Sequence, residues 1–426
     1  MTKPQRSKRS QPPRRLAAAK GSPSGRRVIE IPELFILIVH ELDDKQQRNL
    51  MRVSKYFFRS IGPIAWRRVP RLDIVMKLIK NVVVDLQESW ADFKWQFMIT
   101  LPPRLNLSRY NNRYNIYAPW VQELEVYGGH YQEMTNPEVF LVFLDGRAPL
   151  PNLRRLTTST SAPVAGDDLM HLLDMFICPS LTELRTIMPN KGLPRHDFSR
   201  VVSSSVSEFL QKVKDTCPHI EVLEFYPDGM VRFDQRGYDR YIPTDQCKNV
   251  LSSFLGLRSF SSTTYILKSD VLGILGQLPH LESLGIRGAS TEPPAMDKKP
   301  SVPEIWFPAL KDLRLYDVAF EDIQFLWNET TIIKKIASVL FQIDYRNRRR
   351  SIDGFSYVQN WVGPFLEALP RLSPQLQDIH LYLGSEDERV EVPRDKWDIF
   401  RADNDLCQIF YYYKAGLEPR YTALPV

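Results

Sequence analysis

The feature that most limits how this chain can fold is a unit repeated along its body. It consists of a proline, a spacer, an aliphatic residue, two mostly polar residues, a second apolar residue and a short alternating run. Copies start at Pro119 (PWVQEL), Pro151 (PNLRRL), Pro179 (PSLTEL), Pro218 (PHIEVL), Pro279 (PHLESL), Pro308 (PALKDL) and Pro374 (PQLQDI). An eighth, Leu257-Arg258-Ser259-Phe260, lacks the proline. Counted from the first aliphatic residue, the intervals are 32, 28, 39, 37, 24, 29 and 66 residues. The last spans about two units, and Ile336–Asp344 (IASVLFQID) fits a degenerate copy inside it. Segments ahead of several prolines read as helices: Asp168–Phe176, Val206–Thr216, Ser269–Gln277 and Val362–Leu369. Helix, proline stop, strand, repeated, predicts an α/β chain with a parallel strand array. Each unit then buries its apolar face only against its neighbours.

The stretch Val28–Val69 follows a different rule. Leu34–Val39 is an unbroken apolar run inside a helix expected over Pro32–Leu42. On a 3.6-residue wheel Leu34, Ile38 and Leu42 form one stripe, and Phe35 and Val39 another. Pro32 suits a first helical position, and Glu33 complements the positive helix end. Asp43 and Asp44 cap a second helix to about Val53. Ser54 caps a third, which Gly62-Pro63 is expected to stop. About 40 residues make only a marginal core, so some of this apolar surface needs a second body to cover it.

Ile31-Pro32-Glu33-Leu34, Ile38, Leu42, Val53-Ser54-Lys55-Tyr56-Phe57, and Trp66 with its neighbours Arg67 and Arg68 resemble an F-box. That family is the adaptor-binding module of SCF-type ubiquitin ligases. Gln46 and Gln47 stand where the family often has leucines, which implies weaker packing or binding by the second helix. The repeats resemble a leucine-rich-repeat solenoid, and the combination resembles fungal F-box proteins with irregular repeats. The asparagine usual three residues after the last strand leucine is missing; Gly129, Ser161, Pro189, Asp228 and Gly384 stand there. The resemblance therefore implies a small three-helix F-box followed by an irregular array rather than a uniform horseshoe. It also implies a Skp-type adaptor, and through it a cullin scaffold, as partners, with Ile31, Pro32, Leu34, Ile38, Leu42, Val53 and Trp66 as adaptor contacts or their support.

In such repeats, residues between and just after the inward leucines face away from the core. Those positions give Tyr127, Tyr226, Arg287, Tyr316 and Tyr382, and two residues earlier Glu125, Arg185, Glu224, Arg314 and His380. Tyr and Arg combine contact area with directed hydrogen bonds at interfaces. Tyr127, Tyr226, Arg287, Arg314, Tyr316 and Tyr382 are accordingly the expected surface for a target protein, whose identity the sequence does not give.

The domain plan is a basic tail (1–27), the F-box (28–70), a linker or cap (71–118), the solenoid (119–385) and a C-terminal cap (386–426). Charge separates the tail from the rest. Residues 1–27 carry nine Lys or Arg and no acid, leaving 47 basic against 50 acidic residues elsewhere. Rich in Pro, Ser and Arg, the tail reads as disordered, with nuclear import or salt-sensitive attraction to nucleic acid or acidic lipid as its functional readings. Cys178, Cys217, Cys247 and Cys407 form no CxxC pair and read as reduced, buried thiols. No stretch approaches a membrane span. An intracellular protein, cytoplasmic or nuclear, is expected. GxSxG, HExxH, P-loop and GxGxxG patterns are all absent, so the expectation is a non-enzyme without cofactor or metal. A scaffold acting outside a ligase and a nuclear protein working through its basic tail stay open as alternatives.

Overall fold

The structure is a computed structural model. It describes residues 31–88, 95–103, 113–126, 131–158, 173–186, 203–227, 241–288, 303–329, 332–344 and 371–384, with short pieces at 231–232, 237–238, 294–296, 365, 368–369 and 408–413. Two compact units divide at Ala65 and Trp66.

Among the described residues the first unit holds three helices: α1 (Pro32–His40), α2 (Asp44–Leu50) and α3 (Lys55–Ala65). Pro32 opens α1. Asp43 caps α2 by a capping box: its Oδ1 accepts from Gln46 N at 2.7 Å, and Gln46 Oε1 accepts from Asp43 N at 3.1 Å. Ser54 Oγ accepts from Phe57 N at 3.2 Å at the start of α3. The stop expected at Gly62-Pro63 does not occur, since α3 continues to Ala65. Proline removes one N–H bond, and so close to the helix end that loss is small compared with a mid-helix break.

The second unit is built on an eleven-stranded parallel sheet. Its strands in spatial order are β1 (Arg68–Val69), β4 (Glu123–Glu125), β6 (Arg155–Thr157), β7 (Glu183–Arg185), β8 (Val222–Glu224), β11 (Ser259–Thr263), β12 (Ser283–Arg287), β13 (Asp312–Tyr316), β14 (Ser338–Asp344), β15 (Asp378–Gly384) and β16 (Gln408–Tyr413). The degenerate copy is therefore a full strand, β14, paired on both sides. The sheet also starts earlier and ends later than the 119–385 span expected for the repeats. A three-stranded sheet of β2 (Val83–Glu88), β3 (Trp95–Thr100) and β5 (Tyr131–Thr135), and a short hairpin of β9 (Val231–Arg232) and β10 (Gly237–Tyr238), complete the strands described. Of the WADFKWQF run at 90–97, only its end is described, and it lies on β3.

The repeated proline has a geometric cause. It sits second in a tight turn whose fourth residue bonds back to the first: Leu153 N to Leu150 O (3.1 Å), Leu181 N to Cys178 O (3.1 Å), Ile220 N to Cys217 O (3.2 Å) and Leu376 N to Ser373 O (3.1 Å). Proline presets the backbone angle of that second position. The next apolar residue then falls in one cross-strand row: Val69, Leu124, Leu156, Leu184, Leu223, Phe260, Leu284, Leu313, Val339 and Ile379. All ten are buried. At about 2 kcal/mol of transfer free energy each, this row is the spine of the core.

Helices α4 (Leu72–Met76), α5 (Arg113–Tyr117), α6 (Pro137–Leu144), α7 (Val206–Thr216), α8 (Asp245–Ser252), α9 (Ser269–Gly276) and α10 (Phe320–Glu329) belong to this unit, and α4, α7, α9 and α10 add buried side chains to the same core. The missing asparagine ladder is replaced in part by hydroxyls two residues after the strand leucine. Thr186 Oγ1 donates to Glu224 O at 3.0 Å, and Ser262 Oγ to Phe225 O at 2.8 Å. Among the described residues no helix is long and apolar enough to cross a membrane.

Candidate interaction surfaces

The two stripes of α1 part company in the structure. Phe35 and Val39 are buried, with the Phe35 ring edge-on to Phe57 at 5.3 Å. Leu34 (42 % exposed) and Ile38 (47 %) face solvent, with Ile31, Leu37 (63 %), Val53 (65 %) and Tyr56. Pro32 is exposed and Leu42 half-buried. Trp66 is set apart: it belongs to the second unit, where its ring packs 4.4 Å from Tyr117. Leu37 and Tyr56 lie outside the set of adaptor contacts expected from sequence, although Leu37 falls in the apolar run and Tyr56 in the F-box-like one. Gln47 was read as a loss of packing. It is instead buried, and its Nε2 donates to the Val39 and Leu42 carbonyls, both at 3.0 Å. These carbonyls lie at the open end of α1, so a glutamine here ties two helices together where a leucine could not.

On the sheet, the face opposite the leucine row is polar. Arg68, Glu123, Arg155 and Glu183 stand in one cross-strand row with alternating sign. Arg68 Nε lies 2.9 Å from Glu123 Oε2 and Arg155 Nη1 3.4 Å from the same oxygen. Arg155 grips Glu183 through two bonds of 2.8 and 2.9 Å. Those bonds raise the Arg155 pKa. Burial works to raise the Glu183 carboxyl, but the Arg155 and Arg185 guanidiniums outweigh it and hold it below its ordinary value. Arg185 continues the ladder to Glu183 (3.3 Å) and Glu224 (3.5 Å). Partly exposed pairs of this kind contribute about 0–1 kcal/mol each, so the ladder shapes the surface more than it stabilises the fold. Its first row was overlooked from sequence, though its signal is simple: the residue just before each strand leucine.

The next strands correct the expected target surface. Tyr226, Arg287 and Tyr316 are not open to a partner; all three are buried. The Arg287 guanidinium carbon lies 5.3 Å from the Tyr226 ring centre and 4.6 Å from that of Tyr316. Arg287 and Tyr316 stand on neighbouring strands, about 4.8 Å apart, and the long Arg287 side chain also reaches Tyr226 past the intervening β11, so the rings and the guanidinium hide one another. The Tyr226 hydroxyl donates to Glu224 Oε1 at 2.9 Å. Arg314 remains partly exposed, held by Asp312 through Nε and Nη2 at 2.7 Å each. Tyr382 lies on β15 opposite Gln342 and Tyr412. Tyr127 and the tail fall outside the described residues.

Burial raises the Glu224 carboxyl pKa, even against Arg185, the Tyr226 hydroxyl, Arg287 and Arg314. A carboxyl raised in the folded state contributes stability that is complete below the ordinary carboxylate value and is lost as pH rises through the folded one. The melting temperature of the wild type relative to Glu224→Gln is therefore expected to fall as pH rises above the ordinary carboxylate value. A difference independent of pH would show that Glu224 titrates normally.

Cys178, Cys217 and Cys247 are free and buried, and burial pushes the Cys217 thiol up to about 12; Cys407 lies outside the described residues. No group of three or more metal-ligating side chains is found among the described residues.

No protein-family model and no curated protein matches the chain. Among solved structures it is similar to the leucine-rich repeat-containing protein LegL7 from Legionella pneumophila, at 15% identity and a TM-score of 0.34, over 72% of this chain and 96% of that one.

Proposed function

We propose that the protein is a non-catalytic substrate receptor of an SCF-type ubiquitin ligase. Its first unit docks a Skp-type adaptor, and its repeat array holds a target protein. The observation that carries this reading is the exposed apolar face of α1 and its surroundings: Ile31, Leu34, Leu37, Ile38, Val53 and Tyr56, next to a buried Phe35 and Val39. A contiguous set of large apolar side chains left in water on so small a helical unit favours a partner protein. The mechanism is proximity. Tethering a target near the conjugating machinery raises the effective concentration of its lysines, and the bond chemistry is done by other subunits.

The test is direct titration of a purified Skp-type adaptor onto the full chain, followed by addition of a cullin. Saturable one-to-one binding with cullin recruitment is the expected result. Adaptor binding without cullin recruitment would favour a scaffold outside the ligase, and no adaptor binding at all would refute the proposal.

A further inference from the structure

Every charged side chain that β4, β6, β7 and β8 place on the polar face has an opposite charge within 4 Å, except one. Arg155, Glu123, Glu183, Arg185 and Glu224 are all paired. The side chain of Glu125, the last residue of β4, has no hydrogen bond or ion pair among the described residues. Its neighbours Leu124 and Val126 are buried in the core, so strand alternation puts Glu125 on the polar face beside Glu123. It is half-buried, and that loss of water raises its carboxyl pKa without any cation to offset the effect. A partly desolvated carboxylate gains most from an incoming positive charge, because little hydration remains to be stripped on contact.

We propose that the β4–β7 part of the polar face docks a basic segment of a partner protein, with a lysine or arginine of that segment pairing with Glu125. This rests on reading the repeats as the target-holding half and gives that target a chemistry. Each charge of the neighbouring ladder already has an opposite charge beside it, and Glu125 is the unmatched one for the segment to answer. Glu125 is thus a recognition residue, and the paired Arg155 and Glu183 form the ground on which the segment rests.

The probe is a labelled synthetic peptide of alternating glycine and lysine, with a glycine–serine peptide as control, titrated against the full chain by fluorescence anisotropy. Glu125→Gln is expected to weaken lysine-peptide binding about tenfold. Glu208→Gln, an exposed acid on α7, is expected to leave it unchanged. Because Glu125→Gln removes an unpaired charge, its melting temperature should equal or exceed that of the wild type, so lost binding cannot be ascribed to misfolding. Equal binding by wild type and Glu125→Gln overturns the proposal, as does an equal loss in both variants. Tighter peptide binding after deletion of residues 1–27 would make the chain's own tail the occupant and would also overturn it. Adaptor titration on the same variants keeps the two readings apart, since Glu125→Gln leaves adaptor affinity intact if only this face is misassigned.

Discussion

Replacing Leu34 and Ile38 together by alanine is expected to weaken adaptor binding about a thousandfold while leaving the melting temperature of the chain almost unchanged. Both side chains are little more than half covered in the free chain, so truncating them removes little buried area and opens no internal cavity. If an adaptor covers them, each becomes a centrally buried apolar anchor, for which truncation costs about 2 kcal/mol. Two such losses amount to about three decades in affinity. The neighbouring residue behaves oppositely. Phe35 is buried against Phe57, and Phe35→Ala should cost about 3–5 kcal/mol of stability in the first unit. Anisotropy with labelled adaptor and circular-dichroism melting separate the two effects. Unchanged affinity in the double variant would show that this face is not the docking surface.

That contrast also shows what could be read from the sequence and what could not. Periodicity alone placed Phe35 and Val39 on one stripe of α1 and Leu34 and Ile38 on another, because a helix fixes which residues share a side. Nothing in the periodicity says which stripe faces inward, and only the packing of Phe57 against Phe35 decides it. The strand rows were legible for a similar reason. The proline turn sets the register of each copy, so the apolar residue five positions after the proline lands in the core every time. On the polar face, single residues taken in isolation mislead. Tyr226, Arg287 and Tyr316 each look like an interface residue in isolation, but strands distant in sequence bring them within stacking distance of one another. Gln47 failed for the converse reason. A glutamine in an apolar pattern reads as a defect until the Val39 and Leu42 carbonyls that it bonds are seen beside it. Cross-strand and cross-helix neighbours, not local propensity, decide such positions.

The largest loss of stability from a single polar side chain in the second unit is expected at Asp322, a residue that no local sequence pattern marks. It lies in the first turn of α10 and is fully buried, with Oδ1 accepting from Ala295 N and Met296 N and Oδ2 from Ala295 N, all at 2.8 Å. A buried carboxylate is costly unless such donors surround it, and the positive end of the helix adds to the compensation. Asp322→Ala leaves two amides without this acceptor, Ala295 and Met296 both being buried. At about 1–3 kcal/mol for each unsatisfied group, and with the small cavity added, the loss should be about 3–5 kcal/mol. Asp322→Asn keeps an acceptor oxygen for the amides and should lose about half as much. Denaturant melts give the totals, and hydrogen exchange at the Ala295 and Met296 amides locates them, since only those amides should lose protection beyond the global change. A melt of Asp322→Ala superimposable on the wild type would mean that the segment at 294–296 is held by its apolar contacts alone. In a stacked array each repeat leans on its neighbours, so the damage should spread first to β12 and β13 and leave adaptor binding by the first unit untouched.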